Sequence, residues 1–149
     1  MKSLKKTSFI ICLFTALTLV YVGCEKGSTS DLSGTYTLKA SETLNLSKGG
    51  DRAVLTVEDL KDSRCPINAL CAWAGYASGK FKFKDNFRTQ TIELCIGGSC
   101  SVDAKPTEQK ITLNGVVYSL EFTELIPFPT SPNYNSVAIA MATIVLKRK

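Results

Sequence analysis

Cysteine is the residue type with which this chain could do chemistry, because it holds six cysteines and no histidine. A thiol can be acylated, oxidised to a disulfide, bound to a metal or activated as a nucleophile, and spacing decides among these fates. Cys12 and Cys24 stand near the N-terminus, whereas Cys65, Cys71, Cys95 and Cys100 lie in the body of the chain. None of them has the C-x-x-C spacing of a redox centre. Without histidine, neither a Cys–His or Ser–His–Asp arrangement nor a histidine metal site can be assembled. P-loop, dinucleotide and EF-hand signatures are missing as well, and the 13 acidic residues are scattered without a pair placed for glycoside hydrolysis. No catalytic residue, metal or cofactor is therefore expected.

The fate of Cys24 follows from what precedes it. Lys2, Lys5 and Lys6 give a basic start, and Ser8 to Val22 form an apolar run of 15 residues. A membrane-spanning helix needs roughly 20 such residues. A short run behind a basic flank instead reads as a secretory signal, and Val22-Gly23-Cys24 reads as a lipoprotein cleavage site with acyl chains on Cys24. Tyr21 is bulky where leucine is usual. Ordinary cleavage near Gly23 would leave a lone thiol at the start of a secreted chain, which favours lipidation. The expected divisions are a signal peptide over 1–23, a lipidated Cys24 with a polar tether over 24–34, and one domain over 35–149. The implied address is the bacterial cell envelope, on the outer membrane facing the periplasm, with the membrane as a partner through Cys24.

Removal of the signal changes the charge. Three lysines leave and no acid does, so 15 basic and 13 acidic side chains remain, a balance of +2. That gives no case for nucleic acid as a partner, which calls for a concentrated basic face. Four cysteines remain in an oxidising compartment and imply two disulfides, for which three connectivities exist. Cys95 and Cys100 flank the turn Ile96-Gly97-Gly98-Ser99, where opposed antiparallel strands come within disulfide range. The preferred pairing is Cys95–Cys100 with Cys65–Cys71. Such short loops restrict the unfolded chain by about 2–3 kcal/mol each, so their main effect is to hold loop shape.

The elements that must position these residues read as strands. Alternating segments occupy 35–39, 43–47, 52–60, 79–84 and 89–96, with a turn at Lys48-Gly49-Gly50-Asp51. The clearest hairpin joins 109–113 to 116–122 through Asn114-Gly115, the pair a type I′ turn favours. Residues 136–147 are apolar on both sides and rich in β-branched side chains, as a central strand would be. The expectation is an all-β, immunoglobulin-like antiparallel sandwich of six to eight strands.

The segment Asp62-Ser63-Arg64-Cys65-Pro66-Ile67-Asn68-Ala69-Leu70-Cys71-Ala72-Trp73-Ala74-Gly75 resembles a motif of small bacterial secreted proteins and lipoproteins. That motif is Asp-Ser-Arg-Cys-Pro, four residues, then Cys-x-Trp-Ala-Gly. Weaker similarity runs from about Val54 to the C-terminus. The resemblance implies the fold and an envelope location, and no mechanism. This chain departs from it at Ala69 and Ala72, where a larger residue is usual, and the second cysteine pair is an addition. A first pair that closes without the second must close locally, as Cys65–Cys71.

Within this segment, Trp73 is expected to start a strand and pack into the core against the disulfide. Asp62 is expected to cap the turn and Arg64 to pair with it or face solvent. Lys80, Lys82 and Lys84 share a face opposite Phe81 and Phe83. They read as a solvated face or as guards of an edge strand, with a cationic patch as the functional alternative. Residues 126–136 hold three prolines with Phe128 and Tyr134 and form the best candidate for a partner-binding loop. Asp62, Arg64, Trp73, Phe128 and Tyr134 are thus the candidate contacts for an envelope protein or glycan. The leading expectation is a non-catalytic, lipid-anchored envelope protein presenting loops. The alternative is a regulator that inserts residues 126–136 into an envelope enzyme, and a hydrolase stands third.

Overall fold

The computed structural model describes residues 31–101, 105–130 and 139–149. The signal segment, Cys24 and Tyr134 lie outside them. Eight strands follow in order: β1 (Gly34–Lys39), β2 (Thr43–Lys48), β3 (Asp51–Asp62), β4 (Ala77–Lys84), β5 (Thr89–Ile96), β6 (Glu108–Leu113), β7 (Val116–Ile126) and β8 (Met141–Arg148). They form two antiparallel four-stranded sheets, ordered β2-β3-β4-β5 and β1-β8-β7-β6. The antiparallel sandwich with two local disulfides is as expected. Its strand order is simpler than the Greek key of an immunoglobulin domain: β2 to β5 and β6 to β8 are meanders, and β1 adds beside β8. Two-residue turns at Gly49-Gly50 and Asn114-Gly115 explain this, since a turn so short can only join hydrogen-bonded neighbours. Asn114 and Gly115 have φ of 49° and 81°, as the expected turn requires.

Strand alternation builds the core. Ala53, Leu55 and Val57 face inward from β3, Phe81 and Phe83 from β4, and Tyr118, Leu120 and Phe122 from β7. Phe81 meets Phe122 edge-on across the two sheets, ring centroids 5.3 Å apart. The registers of β3 and β7 each shift once, between Val57 and Asp59 and between Phe122 and Glu124. Each irregularity resets the alternation, so Leu60 and Leu125 join the core where strict alternation would turn them outward. Both strands thereby run longer than their patterns indicated. Strand β8 runs from Met141, so residues 139 and 140 of the expected strand precede it, and 136–138 lie outside the described residues.

Residues 31–34, expected in the tether, pack onto the sandwich. Leu32 is buried, its N–H donates to the Tyr118 hydroxyl at 3.1 Å, and Tyr36 donates to the Leu32 carbonyl at 2.7 Å. Burial raises the Tyr36 pKa above the ordinary phenol value. Residues 31–34 thus belong to the sandwich. Lys80, Lys82 and Lys84 do line the outer face of β4, but β4 is an inner strand, so edge protection is not their role. Lys82 pairs with Glu58 at 3.0 Å on this face.

The β4–β5 turn is organised by Asp85, whose side chain sequence reading overlooked. Asp85 is 9% exposed, and its carboxylate accepts from the N–H groups of Phe87 (2.8 Å), Arg88 (2.7 Å) and Asn114 (2.8 Å). It therefore ties two neighbouring turns together. Burial alone would raise its pKa, but the three N–H donors outweigh that and lower it. A lowered folded pKa contributes stability that is complete above the ordinary carboxylate value and is lost as pH falls through the folded value. We expect Asp85→Ala to cost about 3 kcal/mol, the scale of charged hydrogen bonds left unmade. Urea unfolding at neutral pH checks this, and the gap between variant and wild type should shrink as pH drops below the folded pKa of Asp85.

Candidate functional site

Chain reversal at every connection sorts the loops between two ends. Connections β1–β2, β3–β4, β5–β6 and β7–β8 gather at one end, here called the tip, while the three remaining turns and Asp31–Ser33 sit at the other, the base. Every candidate contact within the described residues lies at the tip. Asp62 ends β3, Arg64, Cys65, Cys71 and Trp73 occupy the β3–β4 loop, Cys95 and Cys100 bracket the β5–β6 corner, and Phe128 follows β7.

The β3–β4 ladder continues beyond the strands. Ser63 N–H donates to the Tyr76 carbonyl at 2.9 Å, and Cys65 N–H donates to the Ala74 carbonyl at 2.8 Å. Gly75 lets the chain narrow here. Its φ is +67°, and a β-carbon on it would lie 2.0 Å from the Ser63 carbonyl oxygen, so no other residue fits. Beyond these rungs, the Cys65–Cys71 disulfide (Cα–Cα 6.0 Å) closes residues 66–70, with a turn in which Ala69 N–H donates to the Pro66 carbonyl. The Cys95–Cys100 disulfide (Cα–Cα 5.8 Å) is buried below the neighbouring corner. Both pairings are those expected.

Arg64 holds this end together. Its side chain is 8% exposed and forms a two-pronged pair with Asp62, Nε to Oδ1 at 2.8 Å. Asp62 also accepts from Arg64 N–H at 3.1 Å, so its capping and pairing roles coincide. From the same guanidinium, one N–H reaches the Leu125 carbonyl at 2.8 Å, and the planar head lies 4.0 Å from the centre of the Phe128 ring. Ile67 N–H donates to the Pro129 carbonyl at 3.1 Å. The segment after β7 is therefore a brace for the β3–β4 loop, at least as far as Pro129. On the other side, Ser99 N–H donates to the Gly75 carbonyl, and Lys105 bonds Glu93 at 2.7 Å with its ammonium 5.3 Å from the Tyr76 ring. That hydrogen bond from Lys105 is the main reason the Glu93 pKa is lowered.

One expectation is overturned. Trp73 is 74% exposed and lies in no strand. The last rung is Cys65–Ala74, so Trp73 falls outside the ladder, and Leu60, Leu125 and Ala77 already close the core at this end. Trp73 instead shares the tip with the exposed Ile67, Leu70 and Ile139. Sequence reading singled out none of these three aliphatic residues. Within residues 63–76 the only charged side chain is Arg64, and it is paired. Among the described residues no three His, Cys, Asp or Glu side chains gather as a metal site.

No protein-family model, no curated protein and no solved structure matches this chain. The geometry itself defines a braced tip whose β3–β4 loop holds one charged side chain, paired, and carries a tryptophan with aliphatic neighbours.

Replacing Arg64 should loosen the tip without unfolding the sandwich. We expect Arg64→Ala to lower stability by about 2–4 kcal/mol, since it strands the Asp62 carboxylate and removes a bond to Leu125. Arg64→Lys, which cannot hold the fork or stack flat on Phe128, should recover less than half of that. Hydrogen exchange reads the locality: Ser63, Cys65 and Ile67 amides should exchange faster, while those of β4 stay protected.

Proposed function

We propose that this protein is a lipid-anchored, non-catalytic component of a bacterial cell envelope that presents the sandwich tip to a protein partner. The reading joins an export and acylation signal ending at Cys24 to a domain whose chain enters at the base. One observation carries it. The end opposite the point of chain entry holds the disulfide-closed loop, its Arg64 brace and the exposed Ile67, Leu70 and Trp73. Large apolar side chains held on a rigid loop lose little entropy on binding, which is what a recognition surface requires. The motif over residues 62–75 supports the same address through its resemblance to secreted proteins and lipoproteins. An anchor on the outer membrane, facing the periplasm, would tie the domain to the bilayer through the end at which its chain enters.

A regulator that inserts residues 126–136 into an enzyme has weaker support, because Phe128 and Pro129 are engaged in bracing. The loop best shaped to enter a partner is 66–73.

Two measurements test the proposal. In cells fed an alkyne-bearing palmitate, the wild-type chain should acquire label and Cys24→Ala should not; an unlabelled wild type removes the anchor. A photo-crosslinking residue in place of Leu70 should give a discrete heavier species, whereas the same residue in place of Val117 on the outer sheet face should not. Equal patterns at both positions remove the tip as a binding surface.

A further inference from the structure

The base of the sandwich differs from the tip in charge. Lys48, Arg52, Lys84, Arg88 and Arg148 all lie at or beside the base turns, all are exposed, and none forms an ion pair among the described residues. Three acids share this end. Asp85 is consumed by backbone N–H groups. Asp31 accepts from Ser33 N–H and has a lowered pKa, chiefly through its bonds to Ser33. Asp51 stands opposite Lys48 across the β2–β3 turn. Five cations against three acids leave a local excess.

Shape accompanies the charge. One hollow of about 450 Å³ is lined by Asp85, Phe87, Arg88, Asn114 and Gly115. A second, of about 200 Å³, is shared by Arg52, Lys84 and Asn86. Phe87, in the β4–β5 turn, lines the first hollow and is 79% exposed. The backbone of the turn that carries Phe87 is fixed by Asp85. An exposed aromatic ring flanked by unpaired arginine and lysine beside concave hollows matches a lipid–water interface, where the ring enters the acyl boundary and the cations meet phosphate.

We propose that the base is a docking face for the surface of an anionic phospholipid bilayer, with Arg52, Lys84 and Arg88 pairing headgroup phosphates and Phe87 inserting between them. The occupant follows from the chain itself. Residues 24–30, which begin at the proposed acylated Cys24, join the sandwich at this same end, through Asp31. The inference rests on the proposed membrane anchorage and adds what that reading lacks, an orientation. A tethered domain alone would tumble, whereas one seated on its base projects the tip outward. Each cation held at an anionic surface shifts the partition roughly fivefold, so three suffice to bias orientation strongly.

The test uses the full chain reconstituted into vesicles whose acyl chains carry bromine, a contact quencher of indole. Phe87→Trp combined with Trp73→Phe places the single indole at the base, and the wild-type chain keeps it at the tip. In vesicles one-third phosphatidylglycerol, the base indole should be quenched at least threefold more than in pure phosphatidylcholine, and the tip indole should be quenched in neither. Adding Arg52→Glu, Lys84→Glu and Arg88→Glu should abolish the difference. The corresponding glutamine variants, which avoid new repulsion, should halve it or more, with unfolding midpoints showing that the sandwich is intact. Equal quenching in both lipids, persistence after charge reversal, or quenching at Trp73 overturns the proposal. So does release by inorganic phosphate but not by chloride at matched ionic strength, which would make this a site for free phosphate. If the chain stays on the vesicles while the base indole is unquenched, the docking face fails and the anchor stands. If the chain leaves the vesicles, both fail.

Discussion

An antiparallel chain that pairs mostly with its sequence neighbours must reverse at every connection, and this constraint governs the molecule. With eight strands, the four odd-numbered connections fall at one end, and the three even-numbered ones fall at the other with Asp31 and Lys149. Length then separates the two ends. The base turns have two to four residues, while three of the four tip connections have eleven or more. Short turns leave little backbone to fix, so one carboxylate, Asp85, suffices to secure two of them. Long connections cannot be held by turn geometry alone, and at the tip disulfides, the Gly75 close approach and the Arg64 fork replace it.

The interior has a different logic. Tyr118, Phe81, Phe83 and Phe122 fill the space between the sheets, and Phe81 meets Phe122 directly. Three hollows among the described residues open on the surface, around the base. The two irregularities in β3 and β7 belong to the same account. They extend the two longest strands toward the tip while returning Leu60 and Leu125 to the core, so the strands that carry the tip loops remain packed almost to their ends.

Much of this was legible in the sequence because strand alternation and turn chemistry are local. The GKFKFK pattern placed Phe81 and Phe83 inward, Asn114-Gly115 located the hairpin, and the spacing around Gly97-Gly98 fixed a disulfide partner. What stayed hidden was non-local. A register shift inside β3 leaves no mark in the residues that carry it, so Leu60 could not be assigned. Trp73 was placed in the core because a large aromatic beside a disulfide is commonly buried. Its exposure depends on where the ladder with Ser63 and Cys65 ends, and therefore on Gly75. The pairing of Arg64 with Asp62 was readable at a separation of two residues, but its bond to Leu125, 61 residues away, was not. Nor does counting charges along the chain reveal that five cations from three separate segments, unpaired among the described residues, meet at one end.

Net charge was thus a poor guide to partners, for a physical reason. The total over the chain averages ends that are tens of ångströms apart, while exposed charges interact over roughly 8–10 Å in physiological salt. A balance near neutrality excludes a broad basic face of the kind nucleic acid demands, and it leaves room for a small one. Here Lys61, Lys82, Lys105, Lys147 and Lys149 have acidic partners within 4 Å. They contribute little field beyond their neighbours. The cations at the base have none, and it is their placement beside Phe87 and the entering chain that gives them a direction in which to act.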